Sequence, residues 1–239
     1  MMPMLSVVSV SKGFPPKKEK ILTDLSFSMD RGEVVALVGE NGAGKTTLIR
    51  LLSMVLQPDG GTLSLDAVKY RENPAYVKSK IGTLFSGDGS LYDRLSAKEN
   101  IEYYARLNGI PRAAFNATLE LLTEELSLAG FLNQRVGTFS RGMKQRTAIA
   151  RTLIADPAFV ILDEPSTGLD IIASQSIKRI IARLKAGGKT VLFSSHNVDE
   201  IFACADRIII LHKGRIVCDK PVESFRKDRG AALTSYIEG

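Results

Sequence analysis

The run Gly39-Glu40-Asn41-Gly42-Ala43-Gly44-Lys45-Thr46 has the residue types and spacing that hold a phosphate chain. Glycines let successive backbone N–H groups turn inward on phosphate oxygens. Lys45 is placed to reach the β- and γ-phosphates, and the Thr46 hydroxyl to take a Mg²⁺ position. Thr47 follows directly. Two glycines alone would read as a turn. Three glycines, a lysine and two threonines between an apolar run and a helical pattern point to nucleotide binding. A Mg²⁺-nucleotide site also needs an acid at a strand end. Asp163 closes the apolar run 159–162 and fits that role. Glu164 comes next. Strand residues alternate between faces, but the end of a strand frees the following residue to turn toward the site. Glu164 is therefore a candidate general base for an attacking water.

These residues need a scaffold. Val34-Val35-Ala36-Leu37-Val38 reads as a buried strand leading into the glycines. Leu48, Leu51, Leu52 and Val55 then mark one helix face, ended by Pro58-Asp59-Gly60-Gly61. Short strands are expected at 62–68 and 81–85. The stretch from about 91 to 139 turns helical. Ser96-Ala97-Lys98-Glu99 is a capping box, and Phe115, Leu119, Leu122 and Leu126 line a second helix. Ser140 looks like an N-cap. Buried strands follow at 159–163 and 191–193, with a helix carrying Ile177, Ile180, Ile181 and Leu184 between them. Residues 208–211 and 215–217 read as a hairpin about Lys213-Gly214. Alternating strands and amphipathic helices imply an α/β fold with a largely parallel sheet.

Composition agrees. The 239 residues are 44% hydrophobic with a net charge of +6, which excludes a disordered chain. No apolar run approaches the ~20 residues of a membrane span. No secretory signal is expected from the first residues. Cys204 and Cys218 are too few and too far apart for a disulfide framework or a zinc site. The run Lys17, Lys18, Lys20 reads as a solvated loop rather than a nucleic-acid or membrane patch.

Further motifs carry a family resemblance. Phe139-Ser140-Arg141-Gly142-Met143-Lys144-Gln145-Arg146 resembles the signature motif of ATP-binding cassette (ABC) ATPases. Ser166-Thr167-Gly168-Leu169-Asp170 looks like the family's D-loop, and His196 matches its switch histidine. Phe14 stands where the family keeps an aromatic residue to stack on adenine. The resemblance spans about residues 5–217. It implies an α/β fold with a RecA-type P-loop NTPase core, a small antiparallel β subdomain and an inserted α-helical subdomain at about 91–139. The cassette would occupy 1–220, with 221–239 a short C-terminal tail.

The resemblance also implies ATP and Mg²⁺ as ligands, with Thr46 and Asp163 at the metal. Two cassettes, identical or different, would pair head to tail. Each ATP would lie between one phosphate loop and the partner's Ser140, Arg141, Gly142 and Met143. The residues themselves support this, because a helix start is a ready anion site. Ser140 is equally a plain N-cap, and both roles can hold at once. Arg141 replaces a small residue and is expected to point outward. Met143 stands where many relatives have Gln, so contact there would come from backbone. His212 is read as surface.

One departure stands out. The family usually has a Gln at the end of the strand before the helical subdomain. Counted from the strand that position is Ser86; counted back from Leu91-Tyr92 it is Gly87. Neither has the reach of Gln, which implies an altered metal shell and altered coupling; a Ser or a water could substitute, with slow basal hydrolysis as the expected cost. A single cassette without a span implies an integral membrane permease as partner and a peripheral place on the cytoplasmic face of the cell membrane. Segments 91–96 and 211–215 look like bacterial sodium-, drug- or antibiotic-efflux exporters. The alternative is a soluble ABC ATPase acting on ribosomes or DNA. One cassette without sustained heptads disfavours it, and no nucleic acid is expected. A phosphate-loop kinase would leave Ser140 to Gly142 and His196 unused.

Overall fold

The structure is a computed structural model that describes residues 2–15, 20–87, 91–169, 171–226 and 233. In chain order, strand β1 (Leu5–Gly13) and strand β2 (Lys20–Met29) pair antiparallel. Strand β3 (Val34–Val38) leads into helix α1 (Lys45–Leu52). Strands β4 (Gly60–Leu65) and β5 (Val68–Lys69) then complete a sheet of order β2-β1-β4-β5. Helix α2 (Pro74–Lys80) precedes β6 (Ile81–Leu84). The inserted helices are α3 (Ala97–Leu107) and α4 (Arg112–Glu125). Helix α5 (Arg141–Leu153), β7 (Phe159–Asp163), α6 (Ile171–Ala186), β8 (Thr190–Ser194) and α7 (Val198–Cys204) follow. The hairpin β9 (Arg207–His212) and β10 (Arg215–Pro221) closes the second sheet.

That sheet runs β10-β9-β3-β8-β7-β6 and is parallel except for β10. Every residue of β3, β7 and β8 is buried. Continuous apolar runs are what parallel strands covered on both faces require. Alternate residues divide between two cores. Val34, Ala36, Val38, Val160 and Leu162 pack with α3 to α6; Val35, Leu37, Phe159 and Ile161 pack with β1, β2 and α1. The period-2 alternation therefore builds two cores from one set of strands. It also aims the carboxyl ends of β3, β7 and β8 at one edge, where parallel sheets place ligands.

The expected layers are present, with local corrections. Helix α1 stops at Leu52, and Met54 takes a left-handed φ of 63°. Val55, assigned to its apolar face, lies beyond it and is exposed. Helix α4 ends at Glu125, and Leu126 is its buried C-cap. The segment 221–239 begins as β10 ends, and Val222 and Phe225 pack into the main core. Lys17 and Lys18 lie outside the described residues.

Candidate functional site

The phosphate loop fills the turn from β3 to α1. A Cβ at Gly39 would meet the carbonyl oxygen of Leu211 at 2.2 Å, so the close passage of β9 demands glycine. Gly44 has φ +108°, and a Cβ there would sit 2.6 Å from Leu22 Cδ2. No side chain caps α1 at Gly44, so the first helical N–H groups face an anion site without a protein acceptor. Asn41, Gly42 and Thr46 are exposed, Glu40 and Thr47 half-buried, and Ala43 buried. The hairpin turn props the loop from below. Gly214 N–H donates to the Ala43 carbonyl at 3.0 Å, and Thr23 N–H donates to the Gly214 carbonyl at 2.9 Å. His212 is half-exposed, yet its Nδ1 lies 3.1 Å from Glu40 Oε1. It belongs to the rim of the loop rather than to open surface.

Lys45 is buried, and its ammonium donates to the carbonyls of Gly39 at 2.5 Å and Glu40 at 3.1 Å. Burial lowers its pKa from the ordinary lysine value, against the opposing pull of Glu164, Asp163 and Glu40. The lysine is thus folded onto its own loop within the field of the acids at the end of β7.

Asp163 is buried at that end. Ser194 Oγ donates to its Oδ1 at 2.7 Å, and Ser86 Oγ donates to its Oδ2 at 2.9 Å. Ser86 therefore contacts the acid directly, at the position where the family usually has Gln. Glu164 leaves the strand at φ 49°, a left-handed turn that costs roughly 1–3 kcal/mol. Its N–H donates to Ser194 Oγ at 2.9 Å. The turn brings Glu164 Oε1 to 3.2 Å from His196 Nε2, and Thr167 Oγ1 donates to its Oε2 at 3.2 Å. The candidate base Glu164 and the residue matching the family's switch histidine are in contact.

The described residues contain no cluster of three or more His, Cys, Asp or Glu able to cage a metal. Mg²⁺ commonly takes one or two protein oxygens and completes its shell with phosphates and water. Thr46 hydroxyl and Asp163 carboxylate would supply such oxygens in the reading expected from the sequence. An ionised carboxylate offers about four acceptor positions, so two hydroxyl donors leave room for a cation.

The start of α5 is a second helix N-terminus. Ser140 Oγ accepts from Met143 N–H at 3.3 Å, so the N-cap reading holds. Ser140 and Arg141 are exposed, Gly142 and Met143 half-buried. Arg141 does not simply point outward. Its guanidinium lies across Gly168, where a Cβ would fall 2.3 Å from Nη1. Gln145 Nε2 donates to the Pro165 carbonyl at 2.8 Å, tying α5 to the loop after Glu164. Phe14 is 37% exposed at the end of β1, with Lys12 Nζ 5.4 Å from its ring centroid. Asp170 lies outside the described residues.

A family model described as "ABC transporter" matches residues 22–167. The chain belongs to the ABC transporter family. It is 41% identical over 236 residues to the ABC transporter ATP-binding protein NatA of Bacillus subtilis, covering 98% of this chain and 96% of NatA. It is 35% identical over 232 residues to the doxorubicin resistance ATP-binding protein DrrA of Mycobacterium tuberculosis, covering 97% of this chain and 70% of DrrA. A solved ATP binding subunit of an ABC transporter superposes with a TM-score of 0.88 at 30% identity, over 98% of each chain. The cassette is an ATP-binding, ATP-hydrolysing transporter subunit on a RecA-type core.

Two side chains of this cassette escaped sequence reasoning. Ser194 bridges Asp163 and the Glu164 backbone, but as the last residue of a buried strand it reads only as β structure. Glu200 is fully buried and accepts hydroxyls from Ser166 and Ser195. No local spacing marks it.

Proposed function

We propose that this cassette powers export by a separate integral membrane permease, pairing head to tail with a second cassette. The observation that carries the chemistry is the 3.2 Å contact of His196 with Glu164, next to Asp163 and in the field of Lys45. Glu164 takes the proton of the attacking water, and His196 orients the water and the γ-phosphate. Lys45, the loop amides and the start of α1 hold the phosphates; Phe14 stacks on adenine. Mg²⁺ at Thr46 and Asp163 would neutralise charge developing on the phosphates. Ser86 and Ser194 hold the carboxylate that receives it.

The exposed start of α5 supports the pairing. Its Ser140 and Arg141 are exposed, open to a partner's γ-phosphate. The D-loop residue Asp170 belongs to the same interface in this reading. Docking on the permease is supported by exposed Phe85 and Tyr92 in the loop from β6 to α3 and by exposed Tyr103, edge-on to Tyr92. No helix among the described residues is long and apolar enough to cross a membrane, so a permease would supply the path. A peripheral place on the cytoplasmic face follows from that docking. The naming of DrrA as a doxorubicin resistance protein supports the outward direction.

Replacing Glu164 with Gln tests the chemistry. ATP binding should persist while turnover falls at least about a hundredfold, about 2.7 kcal/mol of barrier. Turnover near the native rate would remove Glu164 as the base. Co-purification of a tagged Glu164→Gln chain from solubilised membranes, with ATP and Mg²⁺, tests the assembly. A stoichiometric polytopic protein supports it; ribosomal or DNA partners alone would favour the soluble reading.

A further inference from the structure

Glu200 sits in the first turn of α7, four residues after His196, with none of its surface exposed. Burying a carboxylate costs several kcal/mol unless its environment compensates. One compensation is the start of α7, whose dipole favours an anion there. The others are specific. Its Oε2 accepts from Ser166 Oγ at 2.8 Å and from Ser195 Oγ at 2.5 Å, while Oε1 has no hydrogen-bond partner among the described residues. Ser195 Oγ in turn accepts from Asn197 N–H at 3.0 Å, and Glu200 N–H donates to Asn197 Oδ1 at 3.1 Å.

The two serines are the informative part. Ser166 lies two residues after Glu164, and Ser195 lies immediately before His196. One oxygen thus receives a hydroxyl from each segment that delivers a reacting group. Charge-assisted hydrogen bonds of this kind are roughly twice as strong as neutral ones. If stability alone mattered, an apolar residue of similar volume would serve at this depth without an unpaired oxygen.

We propose that Glu200 is a positioning residue: it clamps the Ser166 segment to the Ser195 segment and so sets the contact between Glu164 and His196. The clamp rests on the reading of that pair as the water-activating groups. Glu200 is fully buried and acts through the two serines. Its loss loosens the pair without altering the phosphate loop.

The test compares Glu200→Ala, Glu200→Gln and Ser195→Ala in the full-length chain. Turnover at saturating ATP, affinity for trinitrophenyl-ATP and the imidazole nitrogen shifts of the two histidines are measured for each. Glu200→Ala should lower turnover at least about tenfold, leave nucleotide affinity within about twofold, and move the His196 signals but not those of His212. Glu200→Gln keeps a carbonyl oxygen for both hydroxyls and should recover turnover to within about fivefold of native. Ser195→Ala removes the bond to Glu200 and the one accepted from Asn197 N–H, leaves the carboxylate in place, and reports on the clamp even where Glu200→Ala does not fold; about threefold slower turnover with shifted His196 signals is expected. Native turnover, or unmoved His196 signals in folded variants, overturns the clamp. A Glu164→Gln control separates the two ideas. If that variant still turns over, the base assignment fails, whereas the His196 signals judge the clamp regardless.

Discussion

Helices α1 and α5 both begin at the working edge of the cassette, and they begin differently. The start of α1 has no side-chain cap and is wrapped by six residues of loop, 39–44, propped by β2 and the β9-β10 turn. The start of α5 is capped by its own Ser140 and stands exposed. An uncapped helix start leaves N–H donors for a ligand, and the buried Lys45 adds charge beside them. A capped, exposed start is stable without a ligand. In the proposed function the first is a site complete within one chain, and the second is half of a site whose other half a second cassette supplies. The contrast shows why one motif could be matched to its ligand from local residues, whereas the other needed a partner to make sense.

Substitutions can break this contrast. Lys45→Ala should weaken ATP binding more than about a hundredfold in titration calorimetry, because the only ammonium buried in the loop is lost. Ser140→Asp sharpens the second half. A carboxylate caps a helix as well as serine does, so thermal unfolding should hold, yet its charge repels a γ-phosphate. ATP-driven pairing of the Glu164→Gln background, followed by sedimentation, should then drop at least about thirtyfold. Unchanged pairing would place the partner's phosphate elsewhere. Gly44→Ala forces a Cβ into Leu22 at a positive φ and should cost about 2 kcal/mol in denaturant unfolding. Ser140→Ala loses only the cap, about 1 kcal/mol. A smaller loss than that for Gly44→Ala is expected, since α5 is also held through Gln145.

Much of the framework was readable before the fold. The buried strands β3, β7 and β8 are continuous apolar runs, and such runs are unambiguous when a glycine loop or an acid ends them. The Ser96-Glu99 capping box and the Ser140 cap are local hydrogen bonds, and both form as read. Strands β1 and β2 were not read. Their pairing shifts register at several points, with Ser9 and Asp24 at positive φ, so the period-2 pattern breaks. Val55 kept helical spacing after the helix had ended, since spacing does not record where backbone hydrogen bonding stops. Helix α7 has only seven residues, too few for a periodic signal.

By itself the sequence determined the phosphate loop, the acid pair Asp163-Glu164, the family and the class of fold. Each depends on neighbours within a few residues, where spacing and residue type suffice. Only the tertiary structure decided that Ser86 reaches Asp163, that Arg141 lies across Gly168, that His212 meets Glu40, and that Glu200 joins Ser166 to Ser195. Those contacts link residues from different strands and loops. They exist because a parallel sheet brings the carboxyl ends of distant strands to one edge, and no local pattern encodes which hydroxyl will meet which carboxylate there.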